Sequence, residues 1–83
     1  MVDRIHQLLD EHGKLAVPAA SLAETQDLYA AGLTSFAAAQ LMLALEEAFD
    51  VEFPEHMLNR RSFSNLKSIQ GCLRELKPEA VPS

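Results

Sequence analysis

The stretch 33–49, LTSFAAAQLMLALEEAF, sets the terms for any fold this chain can adopt. It is rich in Ala, Leu, Met and Glu, which favour helix, and it is apolar for almost three turns before it becomes acidic. A helix with so much apolar surface must be covered by other elements. In a chain of 83 residues those elements belong to the same single domain, because so short a chain buries only roughly 60 to 65% of its unfolded surface and has none to spare for a second core. At about 100° per residue, Ala38, Leu41, Met42, Leu45, Ala48 and Phe49 share one face, assigned to the core. Phe36, Ala39, Gln40, Leu43, Glu46, Glu47 and Asp50 share the other. An ordinary solvated face would not begin with Phe36 and Leu43 one above the other, so this face reads as a docking strip, apolar at its start and acidic beyond.

The covering elements are legible on either side. Val2, Ile5, Leu8, Leu9 and His12 follow the i, i+3, i+4, i+7 rule, and Gly13 is placed to end a first helix. Residues 14–34 show no clean period and are punctuated by Pro18, Ser21, Thr25 and Gly32, so a long connection is expected, anchored by Leu22, Leu28 and Leu33. Val51 and Phe53 flank Glu52 in an extended link, and Pro54 suits the first turn of a brief helix to about residue 58, with Met57 and Leu58 pointing inward. Ser62 or Ser64 can cap a last helix whose apolar stripe is Leu66, Ile69, Cys72, Leu73 and Leu76. No strand pattern exceeds VEF and no repeat is present. The expectation is an all-α bundle of three long helices and one short one with a long first loop, occupying residues 1–76, followed by a flexible tail over 77–83.

Charge and cysteine usage narrow the function classes. The net charge of −5 is unevenly spread: residues 15–59 contain no Lys or Arg but seven carboxylates, and the cations gather from Arg60 onward. An acidic middle repels phosphate backbones, so nucleic-acid binding is a poor reading and a basic protein partner a better one. Cys72 is the only cysteine, which excludes an internal disulfide and a cysteine zinc cluster and fits a reducing cytoplasm. No run approaches the roughly 18 apolar residues of a membrane span, and the start MVDRIHQLLDEHG carries charges through its apolar positions, as a helix does and a signal peptide does not.

Among candidate chemical groups Ser35 stands first, by position more than by identity. A hydroxyl at a helix N-terminus lies beside unpaired backbone N–H groups and the positive end of the dipole, a setting that favours a phosphate ester. A serine there is also an ordinary N-cap. The stretch GLTSF lacks the second glycine of a nucleophile elbow, and Ser35 has no base assigned to it, so hydrolase chemistry gains little support. His6, His12 and His56 lack the spacing of metal ligands, and the adjacent Glu46 and Glu47 diverge by about 100°, too far to act as an acid/base pair. No metal is expected.

The run DLYAAGLTSFAAAQLMLALEEAFDVEFPEHMLNRRSF resembles the acyl carrier protein family: Asp-Leu, a few residues, Gly32, a short hop to Ser35, an apolar residue, and a helix ending in acids and Phe. In that family the serine carries 4′-phosphopantetheine, delivered from coenzyme A by a phosphopantetheinyl transferase, so the resemblance implies attachment at Ser35 and a carrier that is not itself an enzyme. Two departures are Thr34, where an acid is usual, and Phe36, where leucine is usual. Within the family the chain is most similar to small stand-alone aminoacyl carrier proteins of bacteria. This implies loading with glycine or alanine, as a thioester, by an amino acid:carrier protein ligase resembling seryl-tRNA synthetase, and delivery to an unknown downstream acceptor. The uncharged Ala37, Ala38, Ala39 and Gln40 at the helix start are compatible with a partner that grips by apolar contact. The docking face is then expected to comprise Phe36, Ala39, Gln40, Leu43, Glu46 and Glu47, with Arg60 and Arg61 near the short helix adding positive charge or standing as plain solvated residues. A carrier must keep that face free, so a monomer is expected. Two alternatives stay open: a fatty or polyketide acyl carrier, which needs room inside the bundle for its chain, and an unmodified helical interaction domain in which Ser35 only caps.

Overall fold

A computed structural model describes residues 2–77. It contains three α-helices: α1 (Val2–His12), α2 (Ser35–Phe49) and α3 (Leu66–Leu76). The expected fourth helix is replaced by two 3-10 turns, Glu55–Met57 and Arg60–Phe63, and a third such turn, Ala19–Ser21, lies in the long first connection. No strand occurs among the described residues. The Val2 side chain and the tail beyond Lys77 lie outside the described residues.

The core is aliphatic. Ile5 and Leu9 of α1, Leu28 of the loop, Leu41 and Leu45 of α2, and Leu66, Ile69 and Leu73 of α3 are all fully buried. α1 packs along α2, and α3 packs on the Arg60–Phe63 turn. Phe53 and Phe63 meet edge to face at 5.5 Å between ring centroids, which locks the extended link after α2 to the segment that leads into α3.

The long connection is held by its leucines, as the sequence indicates: Leu22, Leu28 and Leu33 are all buried. Backbone bonds stitch it to the far side of the molecule. Leu28 N donates to Ser64 O at 2.7 Å, Lys67 N donates to Glu24 O at 3.0 Å, and Ala19 N donates to Asp10 Oδ1 of α1 at 2.8 Å.

Three local expectations are corrected. Asn65, and neither Ser62 nor Ser64, caps α3, its side chain accepting from Ser68 N at 2.7 Å. Burying Phe63 against Phe53 uses residues 60–63 as a 3-10 turn capped by Asn59 and moves the helix start to Leu66. Leu58 is 49% exposed, where an inward position was expected; Pro54 precedes a single 3-10 turn, and the chain swings away after Met57, which alone of the pair is buried. Ala48 is exposed, against its assignment to the core face, and Ala37, assigned to neither face, is buried. A lone methyl at position 48 does not reach the core. Met42 and Phe49 are half-buried at its margin.

The end of α2 is fixed by three devices. Asp50 adopts the left-handed conformation with φ 53°, which Asp tolerates better than most residues, and its N–H donates to Glu46 O. Glu46 Oε2 accepts from Phe53 N at 2.9 Å, and Lys77 Nζ donates to Phe49 O at 2.9 Å, a cation at the negative end of the helix.

Leu45 is fully buried and Leu43 is 55% exposed, although both stand on α2. Thermal or urea unfolding of the two alanine variants is expected to separate them: Leu45→Ala loses about 2–5 kcal/mol, and Leu43→Ala stays within about 0.5 kcal/mol of the parent. Equal losses would contradict the assignment of faces.

Candidate functional site

The position of Ser35 is set by the residue before it. Thr34 is in the extended conformation, its Oγ1 accepts from Ala37 N at 3.0 Å and its carbonyl accepts from Ala38 N at 2.8 Å. Thr34 is therefore the N-cap, and the reading in which Ser35 serves only as the cap is overturned. Ser35 is the first helical residue and is exposed, and its hydroxyl makes no hydrogen bond among the described residues. The N–H groups of Ser35 and Phe36 lie in the first turn, where a helix supplies no acceptor of its own. A hydroxyl with no structural duty thus stands beside two available donors and the positive end of a 15-residue helix.

The approach to Ser35 is a sequence of local turns. Asp27 Oδ1 accepts from Tyr29 N at 3.0 Å, Leu33 N donates to Leu28 O at 2.9 Å, and Gly32 takes φ 117°, a region that side chains with a Cβ rarely enter. Between them these turns reverse the chain while both Leu28 and Leu33 remain in the core. The Asp-Leu and Gly elements of the motif are thus the machinery that presents Ser35.

Two open crevices flank the start of α2. One, of about 440 Å³, is lined by His12, Lys14, Thr34, Phe36 and Gln40 among others. The second, of about 350 Å³, contains Ser35 itself together with Tyr29, Ala39, Met42, Arg60 and Phe63. Across it the Arg60 guanidinium lies 3.8 Å above the Tyr29 ring. Partial burial pushes the Tyr29 hydroxyl above its usual pKa, an effect that Arg60 opposes and Asp27 reinforces. Tyr29 was absent from the sequence-derived candidates, since its link to Arg60 is a long-range contact that no local pattern encodes.

The proposed docking residues divide. Phe36 is 75% exposed, and Ala39, Gln40, Leu43 and Glu47 are exposed on the same side of α2. Glu46 is half-buried and spends one oxygen on Phe53 N, so it serves the fold. Arg60 and Arg61 are both exposed but part company: Arg60 faces Ser35's crevice, and Arg61 lines another with His56, Ser62 and Cys72. Burial pushes the Cys72 thiol above its usual pKa, against a hydrogen bond with Ser62 that lowers it. Among the described residues no three His, Cys, Asp or Glu side chains are grouped to hold a metal ion, and no helix is long and apolar enough to cross a membrane.

Comparison with known proteins agrees with this geometry. The family described as "Phosphopantetheine attachment site" matches residues 6–69. The chain is 50% identical over 70 residues to an aminoacyl carrier protein of Agrobacterium fabrum, covering 84% of each. It also matches a chain in the crystal structure of an engineered Bradyrhizobium japonicum glycine:[carrier protein] ligase complexed with a carrier protein from Agrobacterium tumefaciens and AMP, with TM-score 0.86 and 49% identity, covering 89% of this chain and 99% of that one. Coverage of 99% makes the matched chain about as short as this one, so the chain that this protein resembles is the carrier protein of that complex. A solution structure from Agrobacterium tumefaciens matches with TM-score 0.70 and 48% identity over 90% of each chain.

The division of labour between Thr34 and Ser35 has a measurable consequence. Thr34→Ala removes the cap and is expected to cost about 0.5–2 kcal/mol in urea unfolding, whereas Ser35→Ala is expected to change stability by less than about 0.5 kcal/mol. The opposite ranking would place the cap at Ser35.

Proposed function

The chain belongs to the phosphopantetheine attachment site family of carrier proteins, and from that premise we propose that it is an aminoacyl carrier whose prosthetic group is borne by Ser35. The observation that carries this reading is the free Ser35 hydroxyl at the start of α2, with the capping duty transferred to Thr34. The residues fit the group: Ser35 is exposed for a transferase, the Ser35 and Phe36 N–H groups are available to a phosphodiester oxygen, and the neighbouring crevice is open along one wall of α2. 4′-Phosphopantetheine supplies the thiol on which a small amino acid, glycine or alanine, is held as a thioester.

The protein's own part is position and recognition. Loading by an amino acid:carrier protein ligase resembling seryl-tRNA synthetase is supported by the likeness to carriers of that class and by the exposed Phe36, Ala39, Gln40 and Leu43 beside Ser35. The phosphopantetheinyl transferase would meet the same end of α2, and the downstream acceptor would receive the aminoacyl group from the same arm. A free thiol at Cys72 suits a reducing cytoplasm.

Co-expression with a broad-specificity transferase tests the site. The parent is expected to gain the mass of one phosphopantetheinyl group, and Ser35→Ala is expected to gain none while keeping its helical circular dichroism. Addition of the group to the alanine variant would refute the assignment.

The chemistry of the strip predicts how the ligase grips. Exposed ion pairs contribute roughly 0–1 kcal/mol and are screened by salt, whereas buried apolar area contributes about 25 cal/mol per Å² and is not. Loading of the holo-protein is therefore expected to suffer more from Phe36→Ala or Leu43→Ala than from Glu47→Gln, with only a modest decline as salt rises. Steady-state loading at low and high salt measures both effects, and a steep salt dependence would make the acidic turn the handle instead.

A further inference from the structure

Arg60 occupies an unusual place in the charge pattern. It is the first Lys or Arg after residue 14, and the chain returns it to a crevice that also contains Ser35. Its guanidinium carbon lies over the Tyr29 ring, 3.8 Å from the centroid, a cation–π contact that consumes no hydrogen-bond acceptor. Among the described residues no carboxylate or carbonyl accepts from those donors, and the ion pair observed there is the His12–Glu11 contact. Tyr29 in turn is held by the Asp27 turn that also leads to Ser35. The cation is thus oriented by an aromatic platform while its donor edge is unspent.

Resting on attachment at Ser35, we infer that Arg60, held by Tyr29, is the positioning residue for the prosthetic arm, pairing with its phosphodiester and laying the arm along the crevice formed by Ala39, Met42 and Phe63. The phosphodiester carries one negative charge, and a guanidinium binds such oxygens through two parallel N–H donors, which a group already held against a ring offers with less further ordering. The tether places the ligand at the mouth of the site, so binding incurs little of the entropy cost of free association. At about 350 Å³ the crevice falls at the lower end of the range of roughly 300–1,000 Å³ typical of small-molecule sites. Its lining is mostly apolar with Arg60 as its one cation, which suits a chain with an anionic root and a largely uncharged stem. Arg61, on the same turn but facing the crevice with Cys72, has no part in this.

Amide NMR spectra of apo and holo forms test the inference, with intact mass recorded for every sample. In the parent, attachment is expected to shift the amides of Tyr29, Met42, Arg60 and Phe63 as well as those next to Ser35, and to give a phosphorus-31 resonance displaced from that of free phosphopantetheine. In Arg60→Gln the apo spectrum should overlay the parent's outside the turn and the mass gain should be complete. The holo-induced shifts at Met42 and Phe63 should nevertheless be lost, and the phosphorus resonance should move toward the free value. Tyr29→Leu should show the same loss in part, and Arg61→Gln should retain the parent pattern. Complete mass gain with shifts confined to the residues beside Ser35 overturns this inference alone. Absence of the mass gain in the parent overturns the attachment reading and this one together.

Discussion

Leu28 is the pin on which the arrangement around Ser35 depends. The connection between α1 and α2 has no regular helix of its own beyond one 3-10 turn, and such a segment keeps a single conformation only where it is tied down. Leu28 ties it three ways: its side chain is fully buried, its N–H donates to Ser64 O at the entry to α3, and its carbonyl accepts from Leu33 N across the Gly32 turn. Lys67 N bonding to Glu24 O secures the same region from the α3 side. Because α3 enters the core through Leu66, Ile69 and Leu73, the loop inherits the rigidity of the bundle.

From that pin the functional end of α2 follows. Leu33 re-enters the core, Thr34 closes the first turn through Ala37 N, and Ser35 is left in solvent with nothing to hold. The same pin positions Tyr29, one residue beyond Leu28, and so sets the platform for Arg60. Opposite demands are met on one helix: Leu41 and Leu45 face inward without exposure, while Phe36 and Leu43 stand out. An outward Phe next to Ser35 carries no benefit for folding, and its exposure is what the proposed docking of a partner requires.

Much of this was legible in the sequence, for identifiable reasons. Strong helical periods marked α1, α2 and α3, and the buried loop leucines at 22, 28 and 33 were visible as large apolar residues in a stretch with no helical period. The motif placed Ser35 at a helix start. What the sequence hid depended on contacts between distant residues. The demand of Phe63 for Phe53 converts residues 60–63 into a 3-10 turn and hands the capping of α3 to Asn65. The bond from Phe53 N to Glu46 turns an expected docking carboxylate into a structural one. The stacking of Arg60 on Tyr29 makes a particular site of what reads as one of two solvated arginines. The choice of Thr34 over Ser35 as cap is a shift of one residue, below what propensity alone resolves, because both are good caps.

The most direct test of the account is to locate the prosthetic group within the chain. Because residues 15–59 contain no Lys or Arg, trypsin releases 15–60 as one peptide that holds Ser21, Thr25, Thr34 and Ser35 together. Fragmentation of that peptide from the holo-protein by mass spectrometry can assign the added phosphopantetheinyl mass to a single residue. The account predicts that the mass resides wholly on Ser35, with Thr34 unmodified because its hydroxyl is committed to the helix. Mass on Thr34 or on either loop hydroxyl, or on a peptide outside 15–60, would contradict it.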